Sequence, residues 1–264
     1  GADVKYGLTS NLTLDATINP DFGQVEADPA QVQLNAAELF LTEKRPFFIE
    51  GAGVFRFRVG GNNGLFYSRR VGRAPSLAGS YGDENTPVTS TILGAAKLTG
   101  RLQSGLTVGV LNATTQKEYG ATDDEGRRQT VEPFTNYFVT RLSQDFREGR
   151  SGIGFMGTAV NRRLDEFTEP FLRSDAYGAG LDFRHKIDSA GAFEIGGFAT
   201  FSHVRGDTAA IRRTQTNFVH QYQRPDDGID VDAGATSLSG SAFQIAGGKY
   251  GGKMHRFELF YRRI

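Results

Sequence analysis

Long segments in which apolar and polar residues alternate constrain the fold of this chain most strongly. Between Tyr177 and Ile187 the odd positions hold Tyr, Ala, Leu, Phe, His and Ile, and the even positions hold Gly, Gly, Asp, Arg and Lys. The segment Leu8–Ile18 alternates in the same way, with its apolar residues at the even positions. A period of two predicts β-strands with one apolar face. Strands of about 10 residues match a tilted membrane crossing, whereas strands of soluble proteins average about 5–6 residues.

The connections between the predicted strands alternate in length. Short turns are predicted at Gln103–Ser104, Arg147–Arg150, Asp188–Gly191 and Gly248–Gly252, and long polar loops at Arg70–Ser90, Gln116–Thr135, Arg163–Asp175 and Gly206–Ser237. Short periplasmic turns and long outer loops are typical of outer-membrane barrels. The pattern therefore predicts an all-β fold, an antiparallel outer-membrane-type β-barrel of about twelve strands. We expect residues 1–264 to form a single barrel domain that is incomplete at both ends.

Composition excludes several classes of function. Lys and Arg together number 30 and so do Asp and Glu, so no bulk charge attracts the chain to nucleic acid. The chain has no cysteine, which excludes disulfides, thiolate metal sites and cysteine nucleophiles. It has no run of about 18 apolar residues, and its first ten residues do not resemble a signal peptide.

The stretch Asn19–Arg58 breaks the strand pattern and concentrates charge among apolar residues. Its alternation changes phase near Ala37, which predicts a bulge, a helical turn or an inward-folded segment there. Buried charges are costly unless they are paired, so we expect one inward-facing network of acidic and basic side chains. The predicted ligand-binding residues are Asp21, Glu26, Asp28, Glu43, Lys44, Arg45, Glu50, Arg69 and Arg70. Such a network either binds a solute or braces the wall of a barrel, and the residues leave both alternatives open.

Metal and catalytic signals are weak by comparison. Four aspartates, Asp226, Asp227, Asp230 and Asp232, crowd a turn that is a weak candidate for Ca²⁺, although their spacing differs from an EF-hand loop. The four histidines lack zinc-binding spacing, and no nucleophile motif is present. We therefore predict no catalytic residue and no required cofactor.

Five motifs together resemble one protein family: NPDFGQVEADPA, EKRPFFIEG, LFYSRRVGR, ILGAAKLTGR and QRPD with TSLSG. They are similar to the C-terminal β-barrel, a domain of unknown function, of bacterial outer-membrane proteins described as carbohydrate-binding family 9 domain-containing. The resemblance implies a barrel in contact with the lipid of the bacterial outer membrane, without the N-terminal sandwich domain of that family. It supplies no activity.

Three functions are compatible with these observations. The first is a pore, or a surface capture device, for a saccharide-like or other polar solute. The second is an outer-membrane hydrolase that uses inner-wall carboxylates, and the third is a structural anchor that displays a binding domain. Nucleic acid is not expected as a partner.

Overall fold

The computed structural model describes residues 1–20, 40–57, 64–217 and 230–263 of the chain. These residues form twelve strands and three short α-helices. The strands are β1 (Ala2–Thr9), β2 (Leu12–Ile18), β3 (Ile92–Arg101), β4 (Leu106–Thr115), β5 (Glu118–Thr122), β6 (Arg128–Glu132), β7 (Phe134–Phe146), β8 (Ser151–Arg163), β9 (Asp175–Lys186), β10 (Phe193–Arg205), β11 (Ser237–Lys249) and β12 (Phe257–Arg263). The helices are α1 (Pro46–Ile49), α2 (Ala78–Tyr81) and α3 (Thr208–Gln215), and short 3-10 turns cover Ala52–Phe55 and Ser68–Arg70.

Ten of the strands form one antiparallel sheet in the order β1-β2-β3-β4-β7-β8-β9-β10-β11-β12. Each of these ten strands pairs with the next of the ten along the chain. Strands β5 and β6, which lie between β4 and β7 in the sequence, form a separate hairpin. The predicted all-β, antiparallel architecture is therefore confirmed. Among the described residues β1 and β12 each have one neighbouring strand, so the sheet is open, and the closed barrel stays a prediction.

The connections alternate as predicted, with tight turns at one end of the sheet and long connections at the other. The predicted turns at 103–104, 147–150 and 188–191 each join two paired strands. The turn after β7 places Arg147, Glu148 and Gly149 at positive φ, as tight hairpins between twisted strands require. One long connection contains the β5–β6 hairpin and another contains α3.

Two local predictions are wrong. The segment Leu8–Ile18 is not one strand, because a turn at Ser10 and Asn11 separates β1 from β2. The register shifts by one residue between the Gly7–Thr13 and Thr9–Leu12 pairs, and this bulge cancels the change of phase that a two-residue turn causes. Alternation therefore could not reveal the turn. The run Leu65–Ser68 also predicts a short strand, and the structure has none there. The backbone carbonyls of Ser68 and Val71 accept hydrogen bonds from the Arg45 side chain and not from a neighbouring strand.

The sheet has two different faces. One face, the apolar face, holds rows such as Leu142, Phe155, Leu181, Ala199 and Phe243, which lie opposite one another on five adjacent strands. The other face carries charged and small side chains. Residues 40–57 and 64–77, the covering segment, pack against this covered face.

The buried core lies between the covering segment and the covered face. Phe48, Phe55 and Phe57 of the segment pack on Leu111, Val139 and Met156 of the sheet. Glycines of the sheet make room for them, because a Cβ on Gly180 would lie 2.5 Å from the Phe57 ring and one on Gly109 would lie 2.6 Å from Val54. Of the described helices, none is long and apolar enough to span a membrane.

Candidate functional site

Lys97 on β3 connects the covering segment to the sheet by hydrogen bonds. Its side chain is only 2% exposed, and its Nζ donates to the carbonyl oxygens of Phe47 at 2.6 Å and Glu50 at 2.7 Å. The carboxylate of Asp15, on the adjacent strand β2, lies 3.6 Å away, and the Phe47 ring centroid lies 4.8 Å away. The two carbonyls come from the end of α1, where a positive charge is favoured. Lys97 thus satisfies its buried charge with the backbone that it holds in place.

Glu43 and Arg45 form a second group of contacts, which connects two parts of the covering segment with each other. The Nε and Nη2 atoms of Arg45 donate to the two carboxylate oxygens of Glu43 at 2.8 and 2.7 Å. Ser68 donates to the same carboxylate at 2.6 Å, and Arg45 also donates to the Val71 and Ser68 carbonyls. The stretch around Glu43 is thereby tied to the loop that contains Ser68–Arg70.

This pairing also sets the ionisation state of Glu43. Burial opposes ionisation, but the hydrogen bonds from Arg45 and Ser68 and the charge of Arg45 outweigh it and lower the pKa of Glu43. A carboxylate held in its ionised form is a poor proton donor at neutral pH. In this arrangement Glu43 acts as an acceptor that organises the covering segment.

The structure brings some of the predicted site residues together and separates others. Arg69 donates to the Thr42 carbonyl at 3.3 Å, and the Lys44 backbone donates to Glu43, so both lie in the linked loops. The Glu50 carboxylate instead pairs with Lys5 at 2.6 Å, where both side chains are more than half exposed. Asp21, Glu26 and Asp28 lie outside the described residues, as does the predicted phase break near Ala37. Ligand binding by this set stays a prediction.

The covered face carries further ion pairs that the sequence did not single out. Arg141 on β7 forms a bidentate ion pair with Asp182 on β9, in which Nη2 and Oδ2 lie 3.0 Å apart. Gly154 of the intervening strand lets the two side chains meet, because a Cβ there would lie within 2.6 Å of both. Asp145 pairs with Arg184 at 2.6 Å and with Arg101 at 3.5 Å. The alternation of the strands indicates that these charged residues share the polar face. It does not indicate which of them pair with one another.

A groove of about 580 Å³ opens on the covered face beside the covering segment. Charged groups of both signs and an amide line it, among them Arg56, Asp182, Glu194 and Gln244. Glycines 196 and 197 form part of its floor. A space of this kind can hydrogen-bond a polar solute without selecting strongly for one sign of charge.

The predicted calcium loop lies only partly within the described residues. Asp226 and Asp227 fall outside them. Asp232 exchanges two backbone hydrogen bonds with the Gln215 side chain, and its own carboxylate accepts from the Gly234 amide. Within the described ranges no group of three or more His, Asp or Glu side chains could hold a metal ion. Calcium binding stays a prediction.

Comparison with known proteins gives a match to a protein family. No curated protein and no solved structure matches the chain significantly. The match covers residues 1–241, which include strands β1 to β10. The chain therefore belongs to the family described as Domain of unknown function (DUF5916).

Proposed function

We propose that the ten-stranded sheet contributes to the wall of a β-barrel in the bacterial outer membrane, with its covered face lining a polar interior that passes or captures a polar solute. One observation carries this proposal: large apolar side chains are exposed on one face of the sheet, while the covering segment packs on the central strands of the charged face. A water-soluble protein of this size arranges its faces in the opposite way.

The exposed apolar face is continuous across the strands. Leu181 is 60% exposed, Phe201 51% and Leu259 74%. The register of β9 and β10 places five large apolar side chains on this face, namely Leu181, Phe183, Phe193, Ile195 and Phe201. Soluble monomers rarely expose contiguous apolar patches larger than a few hundred Å², and lipid is the partner that such a surface fits.

Polar side chains border this face at both of its ends. His203 is hydrogen-bonded to Ser239 at 2.8 Å near the long connections, and His185 is hydrogen-bonded to Ser151 at 2.8 Å near the tight turns. On β9 the face extends from Tyr177 to His185, which is about 27 Å along an extended strand. Tilted by about 35–45°, that length spans roughly 20 Å, close to the apolar band of about 25 Å in outer-membrane barrels.

The covered face supports the transport part of the proposal. Its ion pairs and the groove beside the covering segment provide hydrogen-bonding groups of both signs, as in the polar lumens of such barrels. The covering segment occupies this side and would act as a plug. The resemblance to proteins that carry a carbohydrate-binding domain favours a saccharide-like solute.

Conductance across a planar lipid bilayer tests the proposal. The reconstituted full protein should give discrete current steps, and an added neutral oligosaccharide should reduce them. Lys97→Met, which loosens the plug, should raise the conductance, whereas Lys5→Met at an exposed ion pair should leave it unchanged. A protein that inserts but conducts no ions in any of these forms would contradict a pore and favour an anchor.

A further inference from the structure

Several arginines on the covered side pair with a carboxylate, but within the described residues a group of three near the long connections does not. Arg45, Arg141 and Arg184 each pair with a carboxylate. In contrast, Arg73 and Arg162 form no ion pair with any described residue, and neither does Arg173. A charged group taken out of water without a counter-charge is costly, so this exception requires a physical explanation.

Arg162 is held firmly at the long-connection end of β8. It lies on the covered face, in phase with the buried Met156. Its amide donates to the Ser174 carbonyl at 2.8 Å, and its Nη1 donates to the Arg173 carbonyl at 3.1 Å. Its Nε is buried and has no hydrogen-bond partner among the described residues. A buried guanidinium donor without an acceptor is rare in native structures.

Arg173 and Arg73 converge on the same place from two different loops. The only hydrogen bond from the Arg173 side chain to a described residue is a long one, 3.4 Å to Thr214. Arg73 is linked to this end of the sheet through Ser76, whose amide donates to Glu132, and Thr135, three residues after Glu132, pairs in register with Arg162. Burial and then the positive charges of Arg162, Arg73 and Arg70 lower the pKa of Arg173. The Arg73 side chain donates to Ser76 at 2.8 Å, and its carbonyl accepts two hydrogen bonds from Ser90.

One carboxylate, that of Glu132, lies near this cluster without neutralising it. Glu132 is 2% exposed, and its Oε2 accepts from the Ser76 amide at 2.6 Å. No nitrogen of Arg73, Arg162 or Arg173 lies within ion-pair distance of this carboxylate. At least two positive charges of the three arginines therefore remain uncompensated within the described part of the chain.

We propose that Arg73, Arg162 and Arg173 form a binding site for a divalent tetrahedral oxyanion, the phosphate or sulfate group of a solute. Guanidinium groups present planar pairs of N–H donors that match the oxygens of such groups. A divalent anion balances the excess charge, which a single carboxylate would not. The site goes beyond the proposed transport function, because it would exist whether or not the protein conducts a solute.

Anion binding by the purified full protein in detergent tests this inference. Inorganic phosphate, sulfate and acetate are titrated calorimetrically in a chloride buffer. Phosphate or sulfate should bind with one site per chain, and acetate at least about 10-fold more weakly. Binding of phosphate but not sulfate would identify a phosphate site, and the reverse a sulfate site.

Matched variants connect the binding to these side chains. Arg162→Gln and Arg173→Gln should each weaken the binding by about 10- to 100-fold, since each removes charge-assisted hydrogen bonds. Arg163→Gln is the control, because Arg163 is adjacent in sequence but stacks on Phe134 instead. Without anion, Arg162→Gln should unfold at a temperature no lower than the wild type, because it removes a repelled charge. If Arg162 had only a structural role, its replacement would lower the unfolding temperature.

Three results would overturn the inference. They are the absence of phosphate and sulfate binding to the wild type, binding of acetate as tight as that of phosphate, and equal weakening by Arg163→Gln and Arg162→Gln. If Arg162→Gln does not fold, the loop variant Arg173→Gln decides the result. Anion binding in detergent without any conductance would refute the pore but not this site.

Discussion

Replacing Lys97 by methionine is expected to release the covering segment while leaving the sheet folded. The change removes two charge-assisted hydrogen bonds, each worth about 1.5–3 kcal/mol, to the carbonyls of Phe47 and Glu50. It also leaves the buried carboxylate of Asp15 without its cation. Removing one partner of a buried ion pair costs about 3–5 kcal/mol. We therefore expect the local opening of the segment to become easier by about 3–5 kcal/mol.

Hydrogen exchange of the segment's amides measures this opening directly. The amides of Phe48, Ile49 and Val54 all donate within the segment. A change of about 3 kcal/mol corresponds to exchange about 100-fold faster, and amides in β8 and β9 should keep their rates. Lys5→Met is the control, because Lys5 pairs with Glu50 at an exposed position and should not alter the exchange.

A second change separates the two sources of the cost. Asp15→Asn combined with Lys97→Met removes the unpaired carboxylate but not the two unsatisfied carbonyls. The double variant should therefore recover part of the lost protection. Unchanged exchange of the segment in Lys97→Met would refute the reasoning, because it would mean that Lys97 does not hold the segment.

Two further predictions concern other contacts of the covered face. Gly154→Ala should lower the unfolding free energy in urea by about 1–3 kcal/mol, because a Cβ would push Arg141 and Asp182 apart. Gly79→Ala, in open space, should not. The stabilisation from Glu43 should be complete above its ordinary pKa of 4.5 and be lost as the pH falls through its lowered folded-state pKa. Glu43→Gln should remove that component from the pH dependence of the unfolding midpoint, and an unchanged dependence would contradict the assignment.

The strands and their connections could be predicted because each leaves a local signal. The alternation in Tyr177–Ile187 defines the strand and its two faces, and polar turn residues define the hairpin at Asp188–Gly191. Both signals depend on residues that are close in sequence. The Ser10–Asn11 turn was not predicted, because the bulge between Gly7 and Thr9 restores the phase that the two-residue turn reverses.

The contacts of the candidate site could be predicted only in part. Glu43 and Arg45 are two residues apart, so their pairing follows from proximity. The partners of Lys97 are main-chain carbonyls 47 and 50 residues away, which no side-chain pattern reveals. The cluster of Arg73, Arg162 and Arg173 likewise forms only when a strand end and two loops meet. Glu50 was expected in the network because of its position in the sequence, but the side chain turns outward to Lys5.

Single-cysteine labelling along β9 tests the membrane orientation of the sheet most directly. The chain has no cysteine, so each introduced label is unique. In phospholipid vesicles, fluorophores at 181 and 183 should be quenched by brominated acyl chains, whereas fluorophores at 182 and 184 should be insensitive to them. Quenching of all four by aqueous iodide, with no alternation between lipid and water, would contradict a lipid-facing apolar face.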